Sequence, residues 1–406
     1  MHILFLTDNF PPEGNAPATR TYEHAREWVK LGHKVTIITG APNFPEGKVF
    51  DGFSNRWYSK AILDGIEVRR VKTYITANEG FAKRILDFMS FMVTSFFAGL
   101  FVKKPDVIIG TSPQFFTAIS AWALSAVRFK PFIFELRDIW PASITAVGAM
   151  GRSLPIRILE KIEMFLYRRS DKIISVTHSF KSELIERGVD GKKIDVVLNG
   201  VDLSKYEPAL NKDKVFAEQY DLADKFVVGY VGTHGLAHSL DKIVEAAELL
   251  TDLKDVRILF AGGGAAKVDV ERLVKDKQLS NVVLIPRQQK KLMPQLWSLC
   301  DISLISLKDT DLFKTVIPSK IFESMGMGLP MVMTSPIGEA TNILEASDSG
   351  VIVNPESPQE VAKVIRDLFT DPLRLEKLAL NSVNAAKDYD RKKLAELMIS
   401  KLAELA

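Results

Sequence analysis

One cysteine, Cys300, stands in 406 residues, so no disulfide can close within the chain and no paired-thiol metal knuckle can form. The first residues, MHILFLTDNF, lack the charged lead and small-residue cleavage site of a secretory signal, and a cytoplasmic address is the expectation. Low-complexity tracts and repeats are also missing, which excludes a solenoid or a flexible tether. The six histidines are scattered, and Cys300 has no second cysteine to share a metal with. No metal and no cofactor are therefore expected. A serine nucleophile elbow is absent too.

Long apolar runs are nearly absent. The one exception is Ile85 to Val102, ILDFMSFMVTSFFAGLFV, between Lys83-Arg84 and Lys103-Lys104. Asp87, Ser90, Thr94 and Ser95 interrupt it, and a spanning helix wants about 20 predominantly apolar residues. A core helix is favoured, with contact to a membrane interface as the alternative. Charge is close to balanced at +3, yet the first 200 residues carry 27 Lys or Arg against 20 Asp or Glu, and the remainder 26 against 30. That asymmetry suits an anionic substrate or a membrane surface on the N-terminal side. Nucleic acid would demand denser clustering.

What is present is a rhythm. HILFLTD, KVTIITG, DVIIGTSP, FIFELRD, DKIISVTH and DVVLNGVD are short buried strands separated by helical stretches, with a hairpin at Asp64-Gly65. After the irregular LSKYEPALNKDK a second series begins: FVVGYVGTHG, RILFAGGG, VVLIPR, DISLISL, MVMTSP and GVIVN. The spacing predicts an α/β chain of two doubly wound, Rossmann-like lobes, 1–205 and 206–390, facing across a cleft, with a helix over 391–406 free to pack back on the N-terminal lobe. At 406 residues two domains are the expectation.

Several strand ends carry groups that could act. In TVIPSKIFESMGMGLPMVMTS, Pro318 and Ser319 read as a helix start, with Ser319 as cap. Lys320 beside free helix N–H groups suits a diphosphate, and Glu323, one turn on, could accept from a ribose diol. The bland reading is an ordinary capped helix. The loop Gly232-Thr233-His234-Gly235-Leu236-Ala237-His238 offers close backbone approach at Gly232 and donors at Thr233, His234 and His238. Arg287 ends VVLIPR and could meet departing charge, and Glu339 is placed with the donor-side residues. Gly262-Gly263-Gly264 does not complete a dinucleotide fingerprint and reads as a tight turn. In the first half, Glu13-Gly14-Asn15 follow the first strand, with Arg20 in the next helix able to meet an acceptor phosphate. Arg137 and Asp138 follow another strand, where an internal ion pair is the readier explanation. Asn199 closes the lobe.

Taken together, the PPEGN loop, ELRDIWP, YRRSDKIISVTHSFKSEL, VVLNGVD, GYVGTHGLAHSLD and IPSKIFESMGMGLPMV resemble the family-four retaining glycosyltransferases of the GT-B fold, nearest the bacterial O-antigen and capsule enzymes similar to N-acetyl-L-fucosamine transferases. The resemblance spans nearly the whole chain. It implies metal-independent transfer of a sugar, N-acetyl-L-fucosamine or a related amino sugar, from a UDP-sugar onto a lipid-pyrophosphate-linked glycan at the cytoplasmic face of the inner membrane. The donor would sit on the second lobe, with Glu323 as the second Glu of the family's E-x7-E motif and Lys320 on the diphosphate. The first Glu of that motif is Thr315 here, His238 stands where a phosphate-binding Lys is common, Gly232-Thr233 replaces Gly-Arg, and Arg137 replaces a frequent His. Lys320, Asp138 and Arg287 are the expected catalytic residues. Two rivals are a UDP-sugar epimerase of the same fold and a non-catalytic nucleotide-sugar-binding partner.

Overall fold

A computed structural model describes residues 1–76, 81–140 and 154–405. Pro141, the end of the ELRDIWP run, and Ala406 lie outside the described residues. The chain forms two compact units, Met1–Leu198 with Arg391–Ala406, and Asn199–Asp390. The division thus falls earlier than residue 205. Of the stretch DVVLNGVD only Asp195 and Val196 belong to a strand of the first sheet, whereas the Val201 amide donates to the Tyr389 carbonyl at 3.0 Å in the second unit.

The first unit holds strands β1 (His2–Leu6), β2 (Lys34–Thr39), β3 (Tyr58–Leu63), β4 (Ile66–Val71), β5 (Val107–Thr111), β6 (Phe132–Leu136), β7 (Lys172–Ser175) and β8 (Ile194–Val196). They line up as β3-β4-β2-β1-β5-β6-β7-β8, parallel except for the β3–β4 hairpin. Asp64 and Gly65 both take left-handed backbone, φ 48° and 80°, as a tight two-residue hairpin turn demands. β1, β5 and β6 are buried along their whole length, the mark of a sheet covered on both faces. The helices Phe81–Leu100, Phe116–Arg128 and Leu154–Arg169 cover one face. On the other, Ala16–Lys30 and Arg391–Ala403 pack around the fully buried Trp28, whose Nε1 donates to the Ala395 carbonyl at 2.9 Å.

The second unit holds β9 (Phe226–Thr233), β10 (Val256–Gly263), β11 (Val282–Pro286), β12 (Ile302–Ser306), β13 (Met331–Thr334) and β14 (Gly350–Val353), all parallel in the order β11-β10-β9-β12-β13-β14. The first strand is central, the next two lie to one side and the last three to the other. Strand order therefore reverses between β9 and β12, and in such sheets the crevice for a ligand opens at the carboxyl ends of that pair. Pairing with β12 stops at Gly229 while β9 runs on to Thr233, so the last turn of β9 stands clear of its neighbour. The corresponding reversal in the first sheet lies between β1 and β5. Among the described residues no helix is long and apolar enough to cross a membrane.

Candidate functional site

At the reversal of the second sheet three segments meet: the end of β9, the end of β12 and the short helix Lys320–Gly326. Ser319 precedes that helix with helical backbone and makes no side-chain cap, so the expected serine cap is absent. The turn starts instead on backbone bonds, Ile321 to the Pro318 carbonyl and Phe322 to that of Ser319, both 3.1 Å. Pro318 thus fixes the entry of the chain, and Lys320 is carried inward.

The Lys320 ammonium is enclosed and has no hydrogen-bond partner. It lies 3.5 Å from the centre of the Tyr230 ring, a cation held by an aromatic face rather than by a counter-ion. Burial lowers its pKa to about 7, with Glu323 opposing the shift. A side chain at Gly232, whose φ is 134°, would enter the same space, its Cβ 3.6 Å from the ammonium. Glycine there leaves the approach to Lys320 open.

Glu323 is gripped from its far side. Its Oε1 accepts from the Lys290 ammonium at 2.5 Å and its Oε2 from the indole N–H of Trp297 at 3.1 Å. Burial alone would raise this carboxyl, but the charge and hydrogen bond of Lys290 hold it below the usual range. Each oxygen keeps a second lone pair, so the carboxylate can still accept from a diol. Neither Lys290 nor Trp297 was legible as a site residue, since nothing in the spacing links them to Glu323.

The loop after β9 is fastened on both sides. His238 shares a hydrogen bond with the Ser306 carbonyl at 3.0 Å through Nδ1, Ser306 donates to the His238 carbonyl at 2.6 Å, and Thr334 donates to Ser306 at 2.8 Å. The ends of β12 and β13 thereby hold the loop. His234 is buried, and neither ring nitrogen has a hydrogen-bond partner. Burial and then the charge of Lys320 lower both imidazoles to about 4, so at neutral pH they are uncharged. Glycines at and just beyond the end of β10 make room: a Cβ on Gly262 would sit 1.8 Å from the Gly232 carbonyl oxygen and one on Gly264 2.5 Å from that of His234. Thr233 is exposed at the loop start and its carbonyl accepts from the Tyr230 hydroxyl at 2.7 Å. Arg287 follows β11 beside Gly263. Glu339 opens the helix Glu339–Ser347 and is half-buried. Thr315 donates its hydroxyl to the Leu312 carbonyl of its own turn, 3.0 Å away.

In the first unit the polar strand ends serve the fold. Glu13 is buried and accepts from the amides of Asn43, Phe44 and Phe10 at 2.8, 2.9 and 3.2 Å, organising the loop. Burial raises its carboxyl against those bonds. Asn15 caps the helix Ala16–Lys30 by accepting from Ala18, and Gly14 beside it is exposed. Arg20, expected at an acceptor phosphate, is instead buried, donating to Glu135 at 3.0 Å and to the carbonyls of Leu198 and Val197 at 2.7 and 2.9 Å. Its charge is consumed in joining strand ends. Arg137 pairs with Glu135 rather than with Asp138, and also donates to the Pro17 carbonyl and the Thr21 hydroxyl. Asp138 is positioned through its backbone, with its amide donating to the Ser112 hydroxyl and its carbonyl accepting from it. Asn199 belongs to the second unit. Asp8, at the end of β1 beside the reversal, was not singled out in the sequence. Burial and the neighbouring Asp87 and Glu13 push its carboxyl well up, and burial raises Asp87 to about 7. Among the described residues no group of three or more His, Cys, Asp or Glu could hold a metal ion.

Two doubly wound sheets, one with an enclosed cation at its strand-order reversal, define a two-lobed α/β class of protein. The family model for Glycosyltransferase Family 4 matches residues 17–205, and that for Glycosyl transferases group 1 matches residues 212–388. The chain belongs to the family-four glycosyltransferases of the GT-B fold. It is 26% identical over 385 residues, 92% of this chain and 93% of the other, to WcaI of Escherichia coli K12, whose name assigns it to glycosyl transfer in colanic acid biosynthesis. It is 25% identical to TuaH of Bacillus subtilis 168, named for teichuronic acid biosynthesis, over 52% of each chain. In architecture it is similar to Anabaena HepE solved with UDP, with a TM-score of 0.71 and 16% identity over the full length of both chains. Sucrose-phosphate synthase of Thermosynechococcus elongatus matches at a TM-score of 0.76 and 14% identity over 100% of this chain and 98% of the other.

Proposed function

We propose that this glycosyltransferase moves a sugar, N-acetyl-L-fucosamine or a related amino sugar, from a UDP-sugar to a lipid-pyrophosphate-linked glycan in surface polysaccharide synthesis, with retention and without a metal. The observation that carries the donor side is the unpartnered, enclosed ammonium of Lys320 at the β9–β12 reversal. An unpaired cation in low dielectric is a strong attractor for a diphosphate. The names of WcaI and TuaH support the polysaccharide setting, and the UDP complex of HepE supports the donor class.

In the reaction the acceptor hydroxyl oxygen bonds to the anomeric carbon on the face from which UDP departs. The bond from that carbon to the β-phosphate oxygen breaks with its electron pair going to UDP, and the departing phosphate takes the hydroxyl proton. Lys320 stabilises the developing charge, with Arg287 beside the same strand ends and the neutral His234 as a hydrogen-bond donor, while His238, its ring N–H given to the Ser306 carbonyl, holds the loop in place. Gly232, Thr233, Pro318 and Ser319 shape the diphosphate approach, Glu323 receives the ribose, and Glu339 borders the donor. Glu13, Gly14, Asn15, Arg137 and Asp138, all of the first unit, frame the acceptor side, with Asp138 orienting its hydroxyl.

A panel of UDP-sugars screened by thermal shift tests the donor, since a ligand at about 100 times its Kd adds roughly 2.7 kcal/mol. Mass spectrometry of products with a lipid-pyrophosphate acceptor, in EDTA, then tests transfer. A sugar isomerised without an acceptor would establish the epimerase reading instead, and transfer abolished by EDTA would remove the metal-free one.

A further inference from the structure

A surface helix ordinarily turns its polar side to water. The helix Phe81–Leu100 does the reverse. From residue 85 onward its exposed positions are Leu86, Met89, Val93 and Phe97, and none of them is polar. Steps of three, four and four residues keep the four within about 80° of arc, a single stripe along the helix. Its Asp87 and Ser90 are only half-exposed at the margin, and the Ser95 hydroxyl is turned inward to that of Ser120 at 2.9 Å.

The stripe continues past the helix end. Phe101 is 77% exposed, and Phe129, ending the neighbouring helix Phe116–Arg128, is 92% exposed. Arg128 brings the two ends together by donating to the carbonyls of Leu100 and Val102, each at 2.7 Å. Phe129 has φ 53°, the left-handed conformation that helix ends normally give to glycine. An aromatic ring in a backbone state that disfavours it, set fully in water, gains nothing for the isolated fold.

Cations border the aromatic end. Lys103 and Lys104 are exposed beyond Phe101, Lys130 follows Phe129, and Lys83 and Arg84 stand exposed at the other end of the stripe. Residues 81–104, 116–130 and 154–169 carry ten Lys or Arg against three Asp or Glu. The helices in this layer are packed together: a Cβ on Gly99 would lie 2.3 Å from Leu124, and Trp122 meets Phe165 edge-on at 4.9 Å. The patch is thus a fixed surface of the first unit.

We infer that this stripe is a docking surface for an anionic lipid bilayer, with Phe101 and Phe129 entering the headgroup boundary and the flanking lysines meeting lipid phosphates. Apolar side chains rimmed by cations match that interface in both chemistry and order. A second copy of the chain would bring the same lysines against one another, which argues against self-association as the occupant. The proposed lipid-linked acceptor gives this surface a purpose, but its evidence is separate, and it is measured with neither donor nor acceptor present.

The test is cosedimentation of the full chain with vesicles of phosphatidylglycerol and phosphatidylethanolamine, against vesicles of phosphatidylcholine alone. The chain should bind the anionic vesicles preferentially and release with salt. Phe101→Ser combined with Phe129→Gly should weaken binding by roughly tenfold per ring. Lys103→Gln with Lys104→Gln should weaken it about fivefold per lysine. Thermal stability of the Phe variant serves as the fold control, because glycine suits a φ of 53° and both rings are exposed. Binding that is indifferent to lipid charge, or variants that bind like the parent, would overturn the inference. So would sedimentation velocity showing a dimer that the same substitutions abolish, since the patch would then belong to a second copy.

Discussion

Charge and burial oppose one another at the Lys320 ammonium, and pH can separate them. The unfolded chain holds that proton up to the ordinary lysine value of 10.5, the folded chain only to about 7. Between those values the unfolded state binds more protons, so the unliganded protein should gain stability as pH rises across the interval. A bound diphosphate favours the ammonium. Donor binding above about pH 7 should therefore take up a proton, and affinity should fall as pH rises further. Calorimetry with a UDP-sugar in buffers of different ionisation enthalpy reads the uptake directly, and Lys320→Met should erase it while weakening donor binding by tenfold or more. His234 and His238, lowered to about 4, would contribute none. Glu323 offers a second test. Glu323→Gln keeps an acceptor for Trp297 but leaves Lys290 without its counter-charge, and should cost about 1–2 kcal/mol in thermal unfolding. If the carboxylate receives the ribose, the parent should prefer UDP to 2′-deoxy-UDP and the variant should lose much of that preference.

Strands and turns carry the site, and the glycines of β10 set how closely they approach. Gly262→Ala would drive a Cβ to 1.8 Å from the Gly232 carbonyl oxygen at a φ of 152°. A cost of about 2–4 kcal/mol is expected, with a lowered Tm and weaker UDP binding as the β9 loop is displaced. Much of this architecture was legible beforehand. Alternating runs such as HILFL and VIIGT between turn residues specify parallel strands because a doubly covered sheet needs apolar side chains on both faces, and Asp64-Gly65 specifies its hairpin because few other pairs accept two left-handed residues. Lys320 was legible because it falls just inside a helix start after a strand. Its neighbours were not: Lys290 and Trp297 lie 33 and 26 residues from Glu323, and such pairing is set by tertiary packing that no local pattern encodes. Arg20 misled for the same reason, its buried partner Glu135 being 115 residues away.

For the whole molecule the last helix matters out of proportion to its length. Arg391–Ala403 buries Leu394, Met398, Ile399 and Leu402 against the first unit, and Arg391 donates to Glu23 at 2.9 Å. At about 1.5–3 kcal/mol for each large apolar side chain, its removal would take roughly 6–12 kcal/mol, comparable to the stability of an entire domain. A chain ending at Asp390 should therefore show the first unit unfolded by hydrogen exchange while amides of β9 and β12 stay protected. The bond from Trp28 to Ala395 spans 367 residues of sequence. During synthesis the ribosome must complete the second unit before the segment that covers Trp28 emerges, so the half of the protein made first is the half finished last. Until then the apolar face around Trp28 stands in water.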